Sequence, residues 1–314
     1  MQSSITLQIA AGVVAFGPDR RLIIPLVRSV LSDVACVFVF VNAIIDGDLR
    51  KELDNIGPRC RVLYSEYNLG VAEALNQIAY HASQQGCTRV VLFDQDSRPP
   101  AGMVGRLSTI MDQLIQAGEN VAALGPQIVA PSGRAHEFKS PRYFPTPQRT
   151  RLMEAVPVHY IITSGSLIDL AALQQIGPFR SDFFIDAIDT EWCFRAWAKG
   201  WSCWFAPQQP MEHTIGEGAI RSRLFGIRFP HQSPMRMYSY FRNQVASLLL
   251  PHIPLRWKLK FGLHLTFLAF SIIIHSGFTP STAWHITRAI RDGLTGRLGP
   301  PPGAAHCAPS QKLP

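Results

Sequence analysis

The apolar run Arg89-Val-Val-Leu-Phe93 ends directly in Asp94-Gln95-Asp96-Ser-Arg-Pro-Pro. Two carboxylates one residue apart at the carboxyl end of a strand suit a divalent cation and a diphosphate, because Mg²⁺ and Mn²⁺ take hard oxygen ligands and bridge carboxylate to phosphate. The same pair would serve equally well to cap a helix starting after Pro99. With 13 aspartates in the chain, such spacing also arises by chance. Asp46-Gly-Asp48 is a second example, but it stands four residues beyond its strand and immediately before a helical stretch, and reads as a helix N-cap.

Three further acids cluster in Phe183-Phe-Ile-Asp186-Ala-Ile-Asp189-Thr-Glu191-Trp192-Cys-Phe-Arg195. A carboxylate at a cleft edge can accept the proton of an attacking hydroxyl. Alternatively, Asp189 caps the helix that follows and Glu191 pairs with Arg195 one turn on. His213 follows the next strand. A neutral imidazole is a suitable third ligand for Mn²⁺, although a lone histidine more often serves the structure. Asn68-Leu-Gly70-Val-Ala-Glu-Ala-Leu-Asn76 opens a helix after a strand, where a glycine admits close approach and the helix N-terminus attracts anions. By itself this segment reads as an ordinary helix start, and no GxGxxG follows the first strand.

The elements that must position these groups alternate over the first 130 residues. Apolar runs at 9–16, 36–41, 61–64, 90–93 and 121–124 are separated by helical patterns at 22–31, 49–56, 71–83 and 103–116. Strands buried on both faces with intervening helices predict an α/β fold with a mainly parallel central sheet, and ligands there collect beyond the carboxyl ends of the strands. Residues 131–147 read as a surface loop, 156–168 as a strand and 201–205 as another. The Gly- and Arg-rich stretch 214–234 reads as a mobile loop in which Arg221, Arg223, Arg228 and His231 could close over a diphosphate. Residues 235–298 look helical and basic, and the Pro/Gly-rich end reads as disordered.

Apolar content of 47% with 17% charged residues describes a folded chain, and the net charge of +8 asks for an anionic partner. Nucleic acid is not expected, since no recognition motif accompanies the charge. The six cysteines have no zinc spacing, and the first residues lack the layout of a signal peptide, so reduced thiols and a cytoplasmic location are expected. The most apolar stretch, 261–278, has a clean run of only about half the roughly 20 residues a membrane span needs. Its basic flanks suit the interface of an anionic membrane, and a buried helix packed against the catalytic domain is the alternative.

Taken in order, these segments resemble the family-2 glycosyltransferases with a GT-A fold, particularly the bacterial rhamnosyltransferase branch. The likeness runs over roughly residues 8 to 298. It rests on Asn68-Leu-Gly70 with Ala74-Leu-Asn76, Phe93-Asp-Gln-Asp-Ser97, Thr163-Ser164-Gly165-Ser166 and Gly177-Pro-Phe179. It continues through Phe183 to Trp192, then Arg195, Gly200, His213 and Tyr238-Ser-Tyr-Phe-Arg-Asn243. The resemblance implies a GT-A catalytic domain over 1–232, a helical region open to membrane association over 233–298, and a disordered tail over 299–314.

It further implies a metal site of Asp94, Asp96 and His213 holding Mg²⁺ or Mn²⁺. Asp189 would be the general base, with Asp186 and Glu191 beside it. Phe16, Asn42, Asn68, Gly70, Asn76, Asp94, Gln95 and Asp96 would bind the donor, and Ser164, Gly165, Ser166 and Trp192 the acceptor. The implied reaction inverts the anomeric centre of a nucleotide diphosphate sugar, dTDP-L-rhamnose foremost, and passes the sugar to a glycan or lipid-linked glycan in surface polysaccharide synthesis. The implied location is peripheral at the inner face of the bacterial plasma membrane, with self-association allowed. Two positions depart from the family: Phe16-Gly17-Pro18 replaces Tyr-Asn-Pro, and Val41-Asn42 stands where an aspartate normally reads the base. Those departures leave a second reading, a catalytically degenerate scaffold of the same fold that binds nucleotide sugar or membrane.

Overall fold

A strand covered on both faces must be apolar on both, and the first strands of this chain satisfy that condition. In the computed structural model, β1 (Ile9–Ala15) is buried at every position and β2 (Cys36–Val41) at all but its first. The structure describes residues 9–144, 154–213, 219–221, 228–230, 233–276 and 279–304. Among them β3 (Cys60–Tyr64), β4 (Arg89–Asp94), β5 (Val121–Val129), β6 (Val156–Pro157), β7 (Leu167–Asp169) and β8 (Ser202–Glu212) complete an eight-stranded sheet. Its spatial order is β3-β2-β1-β4-β7-β5-β8-β6. The first four in that order run parallel, β7 lies antiparallel between β4 and β5, and β5 and β8 are again parallel. A separate ribbon pairs β9 (Ala219–Arg221) with β10 (Arg228–Pro230).

Helices α1 (Arg20–Val30), α2 (Gly47–Asp54) and α4 (Met103–Gln116) cover one face of the sheet. Helices α3 (Val71–Gln84), α5 (Leu170–Ile176) and α6 (Ile188–Ala198) cover the other. Helix α3 sits so close to β1 that a side chain at Gly12 would collide with Ile78. The chain leaves β1 toward β2 on one side, while β4 pairs on its other side, so the carboxyl ends of β1 and β4 bound a crevice at the point where strand order reverses. Gln95, just beyond β4, closes the base of that crevice: its Oε1 accepts from Phe16 N at 2.8 Å and its Nε2 donates to Phe16 O at 3.2 Å.

Three strand readings change, the simplest being 201–205, which extends to Glu212 as β8. The stretch 156–168 divides into β6 and β7, because Thr163-Ser-Gly-Ser forms a turn closed by Ser166 N to Thr163 O, with Gly165 at φ +82°. Turn chemistry overrides the apolar run there. Strand β5 continues to Val129, past Pro126, where a register shift against β8 accommodates the missing N–H.

The helices expected after residue 233 are α7 (Pro234–Leu249), α8 (Leu255–His275) and α9 (Pro280–Leu294), with a small core of their own around Phe241, Leu265, Leu268 and Ile286. Helices α7 and α9 approach closely enough that a side chain at Gly293 would meet the Arg242 carbonyl. The two regions are tied together by polar contacts. Asn243 Nδ2 donates to the carbonyls of Phe183 (2.7 Å), Ile185 (2.7 Å) and Asp186 (3.1 Å). Arg242, fully buried, reaches the carbonyls of Phe183 at 3.2 Å and Gly299 at 2.7 Å. Gly299 also donates to the Asp182 carbonyl, so the expected tail is packed at its start, and residues 305–314 lie outside the described ones. Asn243→Ala leaves three buried carbonyls without this donor, and is expected to lower stability by about 2–4 kcal/mol in urea denaturation.

Candidate active site

Asp94 closes β4 and Asp96 follows in the turn where Ser97 N bonds the Asp94 carbonyl. This turn is stitched on both sides. Ser97 Oγ lies 2.5 Å from Ser164 Oγ, and Arg98 bridges to Glu212 at the end of β8, its N donating to the Glu212 carbonyl and its guanidinium lying 3.0 Å from the carboxylate. The residue after Glu212 is His213, whose backbone N bonds Val129 O. The stitch therefore brings His213 to the two aspartates. Nε2 stands 3.4 Å from Asp94 Oδ2 and Nδ1 3.8 Å from Asp96 Oδ1, and the three candidate ligand atoms lie within 4.8 Å of one another.

This arrangement fits a divalent cation. His213 is 7% exposed and its Nδ1 is a buried polar atom with no hydrogen-bond partner. Two carboxylates and an imidazole form a donor set suited to Mn²⁺ or Mg²⁺. Capping does not explain the aspartates, because α4 starts at Met103 with Gly102 as an N-cap that makes no side-chain bond. Asp46, in contrast, caps α2 through bonds from Asp48 N and Leu49 N, as its spacing predicts.

Asp189 lies in the first turn of α6, behind a backbone bend in which Phe184, Asp186 and Ala187 all have φ near +65°. It is not the cap; Ala187 is. Burial, opposed by a bond from Thr190 N at 2.7 Å and assisted by the charges of Asp186 and Asp94, pushes the Asp189 carboxyl up to about 6. Asp189 is thus close enough to feel both neighbouring acids. Burial also raises Asp186, opposed by Arg236, whose Nη2 lies 2.7 Å from Oδ1. Asp94 is raised by burial and by Asp96, and lowered by His213 and Arg236. The phenol of Tyr160 is pushed up to about 12 by burial and then by Asp189, and Tyr240 is raised by burial, Tyr160 and Asp186. Four acids, one imidazole, one guanidinium and two phenols share this cleft.

Several residues assigned to ligands from the sequence are committed elsewhere. Asn42 is 2% exposed, and its amide accepts from Leu69 N at 2.7 Å and donates to Gly70 O at 3.0 Å, so no edge remains for a base. Gly70 has φ +83°, and an added Cβ would stand 2.6 Å from Phe184 O; its smallness serves packing against that loop. Asn76 bonds Phe179 through both amide ends and Ser181 through its nitrogen, and Asn68 Oδ1 accepts from Gly70 N. Ser164 and Ser166 are buried, Gly165 N bonds Leu92 O at 2.6 Å, and a Cβ there would strike Pro126 and Met211. Trp192 is 1% exposed with its indole N–H on Gly177 O. In this structure the polar groups of these residues, read from the sequence as donor- or acceptor-binding, brace the walls of the cleft.

Glu191 is likewise a structural ion. Burial pushes it up, but contacts with His252 (3.0 Å) and Arg195 (2.9 Å) hold it below the usual carboxylate range. The Glu191–Arg195 pairing at one helical turn is the plainer of its two sequence readings, and it is the one observed. Phe16, 54% exposed at the mouth of the crevice, remains available to a ligand. Arg223 and His231 lie outside the described residues, as do the side chains of Arg221 and Arg228.

Arg236 is the residue that sequence reasoning missed. It stands two positions before the Tyr238-Ser-Tyr-Phe-Arg-Asn243 run, on a helix distant in sequence from every acid it faces. The available signal was indirect, in that several carboxylates converging in one cleft require a cation.

No family model matches the chain. The dTDP-rhamnosyl transferase RfbF of Shigella flexneri is 27% identical over 263 residues, covering 80% of this chain and 83% of the relative. Among solved structures, GalNAc-T7 with UDP, GalNAc and Mn²⁺ superposes with a TM-score of 0.57 at 15% identity, over 96% of this chain and 59% of that one. TarS 1-349 of S. aureus in complex with UDP-GlcNAc superposes with a TM-score of 0.56 at 15% identity, over 92% of this chain and 81% of that one. The chain therefore has the GT-A glycosyltransferase fold, and its sequence is similar to that of a dTDP-rhamnosyl transferase.

Proposed function

We propose that this protein is an inverting, metal-dependent glycosyltransferase that moves a deoxysugar, L-rhamnose from dTDP-L-rhamnose, to a glycan or lipid-linked oligosaccharide in bacterial surface polysaccharide synthesis. The observation that carries the reading is the Asp94, Asp96 and His213 group with Asp189 near enough to feel the charge of Asp94, all drawn from three separate parts of the chain. The likeness to a dTDP-rhamnosyl transferase supports the donor, and the UDP-sugar complexes of the structural neighbours support a nucleotide diphosphate generally.

In this mechanism Asp94, Asp96 and His213 would hold Mn²⁺ or Mg²⁺, and the ion would supply positive charge to offset the negative charge of the leaving diphosphate. Asp189 takes the proton from the acceptor hydroxyl while that oxygen bonds to the anomeric carbon and the carbon–oxygen bond to the diphosphate breaks. Its raised pKa suits the task, because a base poised near neutral pH accepts a proton in the transition state and releases it afterwards. Arg236, aligned by Asp186, adds positive charge beside Asp94 where the leaving group gains negative charge. The acceptor side of the cleft falls to Tyr160 and Tyr240, not to the buried Ser164–Trp192 set. We place the reaction in the cytoplasm, with the protein peripheral at the inner face of the membrane, where a lipid-linked acceptor is accessible.

Three outcomes are expected. Asp189→Asn retains dTDP binding by calorimetry but loses transfer by about 10²–10⁴-fold, and the parental kcat/KM declines as pH falls through about 6, where the base becomes protonated. Parental-rate transfer by that variant would show that Asp189 is not the base. Thermal stabilisation by dTDP or UDP should require Mn²⁺ and vanish in Asp96→Ala and His213→Ala; an unchanged metal response would remove those residues as ligands. Arg236→Ala should lower kcat by about 10–10³-fold with donor KM changed far less, measured with dTDP-L-rhamnose and a lipid-linked acceptor.

A further inference from the structure

Helix α8 (Leu255–His275) is 21 residues long, with a mean hydropathy of 1.4 over its most apolar window, yet only 17% of that window is buried. It begins six residues before the apolar stretch read from sequence, taking in Arg256, Lys258 and Lys260. Its buried residues Leu265, Leu268 and Ser271 lie on the side that packs against α7 and α9. At 100° per residue the opposite side carries Leu255, Leu259, Leu263, Phe267 and Phe270, which are 70%, 68%, 59%, 41% and 57% exposed. Among the described residues this is an apolar face left largely exposed along most of the length of the helix. Trp284 of α9, 59% exposed, adds an aromatic ring of the kind that settles at headgroup level.

Charge decides what covers this face. Between residues 218 and 291 the chain has ten arginines and lysines and no aspartate or glutamate, which leaves 20 basic against 22 acidic residues elsewhere. All the net positive charge therefore resides in this segment. On α8 itself Lys258 and Lys260 project to opposite flanks of the apolar face, about 80–120° from its centre, where long side chains can keep their ammonium groups in the headgroup layer. A second copy of the chain docked on the same face would bring lysines against lysines with no acid from α8 to compensate. Anionic lipid supplies both the apolar medium and the missing counter-charge.

We propose that the outward face of α8 lies in the surface of an anionic bilayer, parallel to the membrane plane, and anchors the protein there without spanning. Spanning would require the α7- and α9-facing side of the helix to leave its own core. The proposal gives a surface to the membrane placement above and is independent of the transfer chemistry.

The test is vesicle flotation of the full chain with phosphatidylcholine alone and with added phosphatidylglycerol. The parental protein should float with the anionic vesicles, less so at high salt, and be released by alkaline carbonate. Leu259→Ser/Leu263→Ser/Phe270→Ser should reduce partitioning by at least about tenfold with an unchanged thermal transition. Lys258→Gln/Lys260→Gln should reduce it by about tenfold and weaken the phosphatidylglycerol preference. No flotation of the parental protein, or a dimer that the serine variant dissociates, would overturn the proposal in favour of a protein–protein face. Resistance to carbonate would overturn it in favour of a span. Nucleotide binding, measured separately, is untouched by either result.

Discussion

The cleft depends on one short bend. Phe184, Asp186 and Ala187 all hold left-handed backbone angles, a conformation that costs non-glycine residues roughly 1–3 kcal/mol each and persists only where surrounding contacts fix it. Those contacts come from two directions. The N-terminus of α3 donates Val71 N to the Phe184 carbonyl at 2.7 Å, and α7 sends Asn243 and Arg242 to the carbonyls of Phe183, Ile185 and Asp186. The bend places Asp186 and Asp189 at the mouth of the sheet, facing acids carried by β4. Without it α6 would begin elsewhere and its first turn would point away from the crevice.

This dependence gives the C-terminal helices a second purpose. They are not an appendage to the sheet domain, since α7 supplies the carbonyl clamp, the Arg236 guanidinium and one of the two phenols in the cleft. The following helix then turns an apolar face outward. One helical unit thus shapes the cleft at one end and carries the proposed membrane contact at the other, so a surface-bound protein would present its cleft in a fixed relation to the bilayer.

The motif wording shared with glycosyltransferases separates into two kinds of residue once geometry is known. Asp94, Asp96 and His213 bring their ligand atoms together, and Asp189 lies near enough to feel the charge of Asp94. Asn42, Asn68, Gly70, Asn76, Ser164, Gly165 and Trp192 spend their polar groups, or their small size, on holding loops against strands. A residue type suited to ligand contact is equally suited to satisfying a buried backbone group, because both tasks need a short donor and acceptor. A motif alone does not distinguish them.

From the sequence alone came the alternation of buried strands and helices, the crevice beyond the strand ends, the pairing of Glu191 with Arg195 as one of two readings of that acid, and the acids that would gather there. Those follow from local periodicity and from short-range spacing, which survive folding unchanged. Only the tertiary structure decided that Asn42 is closed to a ligand, that 156–168 breaks at a turn, that Arg236 enters the cleft from a helix 50 residues away, and which side of α8 is left bare. Each of these depends on which distant backbone group or helix face becomes a neighbour. Long-range proximity is set by packing of the whole chain, and no local pattern of residues encodes it.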